Sequence, residues 1–173
     1  MSFAALACFA LAGILTLWLF MVWRGLSQDW LPAELKAARL AQIEEDLVVD
    51  EPFPVIGRPD RVYRLADGAH VPVELKNRTR HSIYETDIAE ISLRAWLLRR
   101  NGKPTAEHGY VVINSRDTGT REATKVELRD DAFCERLIRR YIDIVEGRVV
   151  ARKSRGPKCK SCGHFARCQT PPN

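Results

Sequence analysis

Two kinds of hydrophobic spacing divide the chain. Residues 61–65 and 70–76 alternate apolar with polar positions, so that Val71, Val73 and Leu75 share one face of an extended strand and Glu74 and Lys76 the other. Between these stretches Ala66-Asp67-Gly68-Ala69 carries an Asp-Gly turn signal, which predicts a hairpin. Pro72 argues against full pairing of its strand at that point. Residues 109–115 and 122–128 repeat the pattern across Arg116-Asp117-Thr118-Gly119, a second hairpin. Steps of four and three join Tyr84, Ile88, Ile91, Ala95 and Leu98, the stripe of an amphipathic helix that Asn101-Gly102 ends. Asp130 and Asp131 cap a further helix, on which Phe133/Cys134, Leu137/Ile138, Tyr141/Ile142 and Val145 form a broad stripe. Pro32 opens a stretch to about residue 47 rich in Ala, Leu, Glu and Lys, read as a helix, and residues 50–59, with three prolines and a glycine, run extended into a turn. Paired strands with helices between and after them predict an α/β or α+β class with a mixed sheet.

The N-terminus changes that picture. No charged residue occurs from Ser2 to Trp23, and residues 3–23 as a helix would be roughly 30 Å long, the thickness of a bilayer's hydrocarbon core. With no basic leading segment and no small-x-small cleavage site, the run is read as a transmembrane helix rather than a cleaved signal. Trp18, Trp23 and Trp30 suit its interface end, and the basic residues that follow place the body in the cytoplasm, so the sequence predicts a single-pass inner-membrane protein. The expected organisation is an anchor at 1–23, a juxtamembrane helix and linker at 24–50, a core at 51–155 and a basic cysteine-rich tail at 156–173.

The net charge of +5 is uneven, because residues 148–173 hold seven Lys/Arg and no Asp or Glu, leaving 20 basic and 22 acidic residues elsewhere. A basic tail suits phosphates of nucleic acid or anionic headgroups, and composition does not separate the two. Three of the five cysteines form Cys159-x2-Cys162-x5-Cys168, and in a chain placed in the cytosol metal ligation is the better default than disulfides.

The candidate chemistry lies between Gly57 and Lys76. Hydrolysis of a phosphodiester needs a cation to neutralise charge on the phosphate and to generate hydroxide near neutral pH, and Mg²⁺ and Mn²⁺ prefer oxygen donors. Asp60 and Glu74 are suitable ligands, the Leu75 backbone carbonyl offers a third oxygen, and Lys76, on the face of Glu74, can orient a water or steady negative charge. Arg78 and Arg80 follow this strand as candidate contacts to a DNA backbone. On Glu-x-Lys alone a solvated strand face would be the better reading; the context decides otherwise.

Gly57-x-x-Asp60 followed by Glu74-x-Lys76 resembles the signature of the PD-(D/E)XK nuclease superfamily, and the order of elements is similar to its RecB-like branch, in particular to the CRISPR-associated exonuclease family with a C-terminal cysteine cluster. The resemblance implies a restriction-endonuclease-like core, Mg²⁺ or Mn²⁺ at Asp60 and Glu74, and DNA as substrate. It also implies an iron–sulfur cluster on Cys159, Cys162 and Cys168. The family takes a fourth cysteine from ahead of the core, where this chain has only Cys8, inside the expected span. Cys134, His164 or an outside ligand would complete the set, and His164 would make the Cys₃His set more usual for zinc. Where that branch carries Gln-x-x-x-Tyr on the next helix, this chain has Glu90 and Arg94, in a supporting or DNA-binding place. Its upstream histidine is missing, with Glu44 or Glu45 as stand-ins. No helicase motif is present, so unwinding would need a helicase or nuclease partner protein. The sequence therefore predicts a membrane-anchored, metal-dependent deoxyribonuclease, against two alternatives: a non-catalytic nucleic-acid-binding module on the same fold, and a membrane-surface metal-binding protein that acts through its cysteine tail.

Overall fold

The structure, a computed structural model, describes residues 13–19, 30–153 and 156–169. Two compact units are distinguished, Met1–Asp131 and Ala132–Asn173.

The first unit is built on a five-stranded sheet. Its strands are β1 (Arg39–Ile43), β4 (Arg61–Arg64), β5 (His70–Arg78), β6 (His108–Ser115) and β7 (Arg121–Glu127), in the order β1-β4-β5-β6-β7. A separate pair joins β2 (Leu47–Val49) to β3 (Val55–Gly57). Only β5 and β6 run parallel, and the crossover between them contains helix α2 (Glu85–Arg100). Both predicted hairpins form. Gly68 takes φ 90° in the β4–β5 turn and Gly119 φ 67° in the β6–β7 turn, the left-handed conformation that glycine adopts without a Cβ penalty.

Strand alternation sorts the core onto the two faces of the sheet. Tyr63, Val71, Val73, Tyr110 and Val112 pack on one face with Leu31 and Leu35, the latter from the short helix α1 (Ala33–Lys36). Val111, Ile113 and Val126 pack on the other against Ile91 of α2. β6 is buried on both faces, as expected of an interior strand. Helix α2 is buried more widely than its predicted stripe: Ile91, Ala95 and Leu98 are joined by Ser92, Trp96 and Leu97, while Tyr84, at its N-cap, is exposed. Ser92 is accommodated because its Oγ donates to the Ile88 carbonyl at 2.6 Å and accepts from Arg129 N–H at 2.9 Å.

Several expectations are corrected. The predicted helix after Pro32 stops at Lys36, and the chain continues as β1 and β2. Helix propensity is a weak preference, and here strand pairing outweighs it: β1 covers the open edge of β4, with Leu40 packed on the core and Gln42 buried. β5 is an interior strand despite Pro72, which pairs with Val62 on β4 and lies one residue before the parallel register with β6 begins at Val73–Tyr110. Gly109 makes room there, since a Cβ on it would meet the Pro72 carbonyl oxygen at 2.9 Å.

The transmembrane helix is corrected as well: among the described residues no helix is long and apolar enough to cross a membrane. Within the expected span only residues 13–19 are described, as helix, and the rest of the span, with Cys8, lies outside the described residues. The single-pass inner-membrane location and the membrane as a partner therefore find no support in the structure.

In the second unit, helix α3 (Asp131–Val145) buries Cys134 and Ile138, but Tyr141 and Val145 of the predicted stripe are exposed. A 3₁₀ turn (Pro157–Ser161) carries Cys159, helix α4 (Phe165–Gln169) carries Cys168, and Cys162 lies between them.

Candidate active site

The site forms where β5 loses one neighbour. The antiparallel ladder with β4 ends at Arg61–Val73, because Pro59 and Asp60 turn the chain away, while β5 stays paired with β6 as far as Arg78. On the edge left open, a side chain replaces the missing strand: Leu75 N–H donates to Asp60 Oδ2 at 2.6 Å. In an extended strand the N–H and C=O of one residue point to the same edge, so the Leu75 carbonyl faces the side on which Asp60 sits. Glu44, at the end of β1, holds the backbone of Asp60 from behind with an N–H···O bond of 3.2 Å, and Glu45 is engaged by Gln42 at 2.8 Å.

Glu74 and Lys76 lie on the α2 face of β5. Glu74 is 4% exposed, and burial is the main cause that pushes its carboxyl up to about 7. The hydrogen bond from Lys76 pulls the other way, and the charges of Asp60 and Glu90 add to the rise. Lys76 Nζ donates to Glu74 Oε1 at 2.9 Å and to Glu90 Oε2, on α2, at 2.7 Å. Partial burial opposes its charge, but these two bonds outweigh that and hold the ammonium above the usual lysine range. Asp60, Glu74, Lys76 and Glu90 are thus brought together, and Arg94 faces Glu90 at 3.7 Å.

The donor set fits a hard divalent cation. Burial first, and then the charges of Asp60 and Glu90, make Glu74 resist ionisation, and the Leu75 carbonyl faces the edge on which Asp60 sits. Mg²⁺ is commonly held through one or two carboxylates with water completing its shell. Among the described residues no group of three or more His, Cys, Asp or Glu side chains is arranged to hold a metal, at this site or in the tail.

The other candidate residues are placed differently. Arg78 is turned inward: its guanidinium donates to Asp87 Oδ2 at 2.7 Å, to Asp87 Oδ1 at 2.6 Å and to the Ser82 carbonyl, and stacks 4.7 Å over the Tyr84 ring. Asp87 is 2% exposed, and the Arg78 bonds, with one from Tyr84 N–H, hold its carboxyl below the usual range against the cost of burial. This ion pair fixes α2 to the end of β5. The sequence reading missed Asp87, although Tyr84-x-x-Asp87 at a helix start is a spacing at which a side chain reaches back to an N-cap N–H. Arg80 is exposed in the following loop. Cys159 and Cys168 are half-buried, and Cys162 and His164 exposed.

A second missed cluster ties α1 to the sheet. Glu34 Oε2 accepts from Tyr110 O–H at 2.6 Å and lies 3.0 Å from His108 Nε2. The Tyr110 bond, first, keeps Glu34 below its ordinary range despite burial, while Tyr110 itself is raised by burial and by Glu34.

A family model described as the PD-(D/E)XK nuclease superfamily matches residues 10–169. The chain belongs to the PD-(D/E)XK nuclease superfamily. That membership points to a nuclease with a nucleic-acid substrate, and its members typically use divalent metals such as Mg²⁺ or Mn²⁺. Among solved structures, one titled "Crystal structure of SSO0001" is similar at 23% identity and a TM-score of 0.49, over 92% of this chain and 69% of the other. No curated protein matches the chain. Asp60, Glu74 and Lys76, the candidate residues of the sequence, lie together where β5 leaves β4.

Proposed function

We propose that this PD-(D/E)XK protein is a Mg²⁺- or Mn²⁺-dependent deoxyribonuclease of the RecB-like branch, with exonuclease-like action in DNA repair or defence. The observation that carries the proposal is the Asp60 side chain closing the edge of β5 beside a buried Glu74 whose carboxyl is pushed up by burial and by the charges of Asp60 and Glu90. Asp60, Glu74 and the Leu75 carbonyl would hold the cation. When bound, it supplies charge neutralisation at the phosphate and eases deprotonation of water. Lys76, kept protonated by its two carboxylate partners, donates hydrogen bonds toward the attacking water or the developing phosphate charge. β5, paired with β6 beyond the site and pinned to α2 by Arg78 and Asp87, keeps these groups rigid. For the tail, Cys159, Cys162 and Cys168 as iron–sulfur ligands, or with His164 as a zinc set, rest on sequence spacing; absorbance and metal content of protein purified without air separate the two.

The test uses the full chain with end-labelled single-stranded and duplex DNA and Mn²⁺, followed by gel resolution of the products. Asp60→Ala and Lys76→Ala are each expected to lower the rate by about 10²-fold or more. Cleavage by either variant at the wild-type rate, or metal-independent cleavage, refutes the proposal.

A further inference from the structure

The charges at the site do not stop at Lys76. Glu90 gives Oε2 to Lys76 and turns Oε1 toward Arg94 Nη2, 3.7 Å away and one helical turn along α2. Arg94 is wedged against β3: a Cβ added to Gly57 would meet its Nη1 at 2.6 Å. Its Nε is shut off from solvent with no hydrogen-bond partner among the described residues. Glu74, Lys76, Glu90 and Arg94 therefore form a row of alternating sign, running from the open edge of β5 to the strand that leads into Asp60.

Glu74 is claimed twice in this arrangement, by the Lys76 ammonium and by the cation that the nuclease reading requires. A carboxylate that shares its charge with a dication holds an ammonium less firmly, and the dication repels the ammonium directly. Lysine has a flexible stem and keeps no direction without a partner. Glu90 is the partner that remains: its bond is the shorter of the two, it comes from a different element, and the wedged Arg94 restrains it. We propose that Glu90 is a positioning residue, anchored by Arg94, that keeps Lys76 aimed at the reacting phosphate once a divalent cation occupies Asp60 and Glu74. This rests on the nuclease reading above.

Two readouts test it on the full chain, with Mn²⁺ as the probe. The first is acylation of the Lys76 amine by an amine-reactive ester at fixed pH, followed by mass spectrometry, with Mn²⁺ binding measured in parallel by calorimetry. Wild-type Lys76 should react slowly with and without Mn²⁺, whereas in Glu90→Ala added Mn²⁺ should raise the rate by about tenfold, the scale of losing one charge-assisted hydrogen bond. Glu90→Gln has the shape of the native residue, guards against a folding defect and should fall between. Calorimetry without Mn²⁺ binding to wild type removes the nuclease reading itself. Binding with Lys76 equally protected in Glu90→Ala overturns the positioning role alone. The second readout is kinetic: Glu90→Ala should lower kcat by about 10- to 100-fold with KM and Mn²⁺ affinity unchanged, and Glu90→Gln should recover part of the loss. A loss in KM makes Glu90 a substrate contact and a loss in Mn²⁺ affinity makes it a metal ligand, and either result overturns the proposal.

Discussion

Replacing Glu74 by Gln tests the electrostatics of the site without requiring turnover. The native carboxyl has an ordinary value of 4.5 and is pushed up to about 7, principally by burial. A raised carboxyl means that the folded protein prefers the proton. Its contribution to stability is therefore fully present below pH 4.5 and is lost as pH rises through 7. The shift corresponds to about 3 kcal/mol at roughly 1.4 kcal/mol per pH unit, and at 4% exposure solvent screening takes little from it. Gln keeps an oxygen to accept from Lys76 and has no charge to desolvate. In EDTA, urea unfolding of wild type and Glu74→Gln should give similar stabilities near pH 4.5, and the variant should gain on wild type by about 3 kcal/mol by pH 8. Mn²⁺ at a thousand times its Kd should reverse the order at pH 8, because it adds about 4.1 kcal/mol to the protein that binds it. A stability difference independent of pH, or a variant that is less stable than wild type at pH 8 in EDTA, would show that Glu74 is not the strained carboxylate described.

Other consequences follow from particular contacts. Asp87→Ala leaves Arg78 without its buried bidentate partner and should cost about 3–5 kcal/mol in urea unfolding. Because Asp87 is held below its ordinary range, the wild-type advantage is present above pH 3.8, its unfolded value, and fades as pH falls through the lower folded one. Gly109→Ala drives a methyl to 2.9 Å from the Pro72 carbonyl oxygen and 2.7 Å from Ile91 Cδ1, and should lower stability by about 1–3 kcal/mol on the same measurement. Tyr110→Phe removes the donor that holds Glu34 and should cost about 1–3 kcal/mol, with a pH-dependence that shows Glu34 titrating nearer its ordinary 4.5.

Much of this molecule was legible before any coordinates. Period-two alternation over residues 61–65 and 70–76, an Asp-Gly turn between them and a three–four stripe ended by Asn101-Gly102 are local signals, and local backbone chemistry decides hairpins and helices of this kind. The identities of Asp60, Glu74 and Lys76, and their spacing, were likewise visible, since they lie on one hairpin and its approach. Other features depend on residues far apart in the chain. Residues 39–43 are a strand because β4, twenty residues on, offers an edge to pair with, and no property of Arg-Leu-Ala-Gln-Ile announces that edge. Arg78, expected to contact a DNA backbone, is turned inward instead because its partner, Asp87, comes from the next helix.

The sequence by itself determined which carboxylates and which ammonium stand as candidates for phosphodiester chemistry, and which strand carries two of them. Only the tertiary structure decided what surrounds them: β4 ends one pair before Glu74, Asp60 takes the place of the missing strand at Leu75, and α2 brings Glu90 and Arg94 alongside Lys76. A carboxylate's chemistry is set by its burial and its neighbours' charges. Those are properties of the packed chain, so the same Glu-x-Lys reads as a solvated pair in one dimension and as a buried carboxylate with a raised carboxyl beside a two-partnered lysine in three.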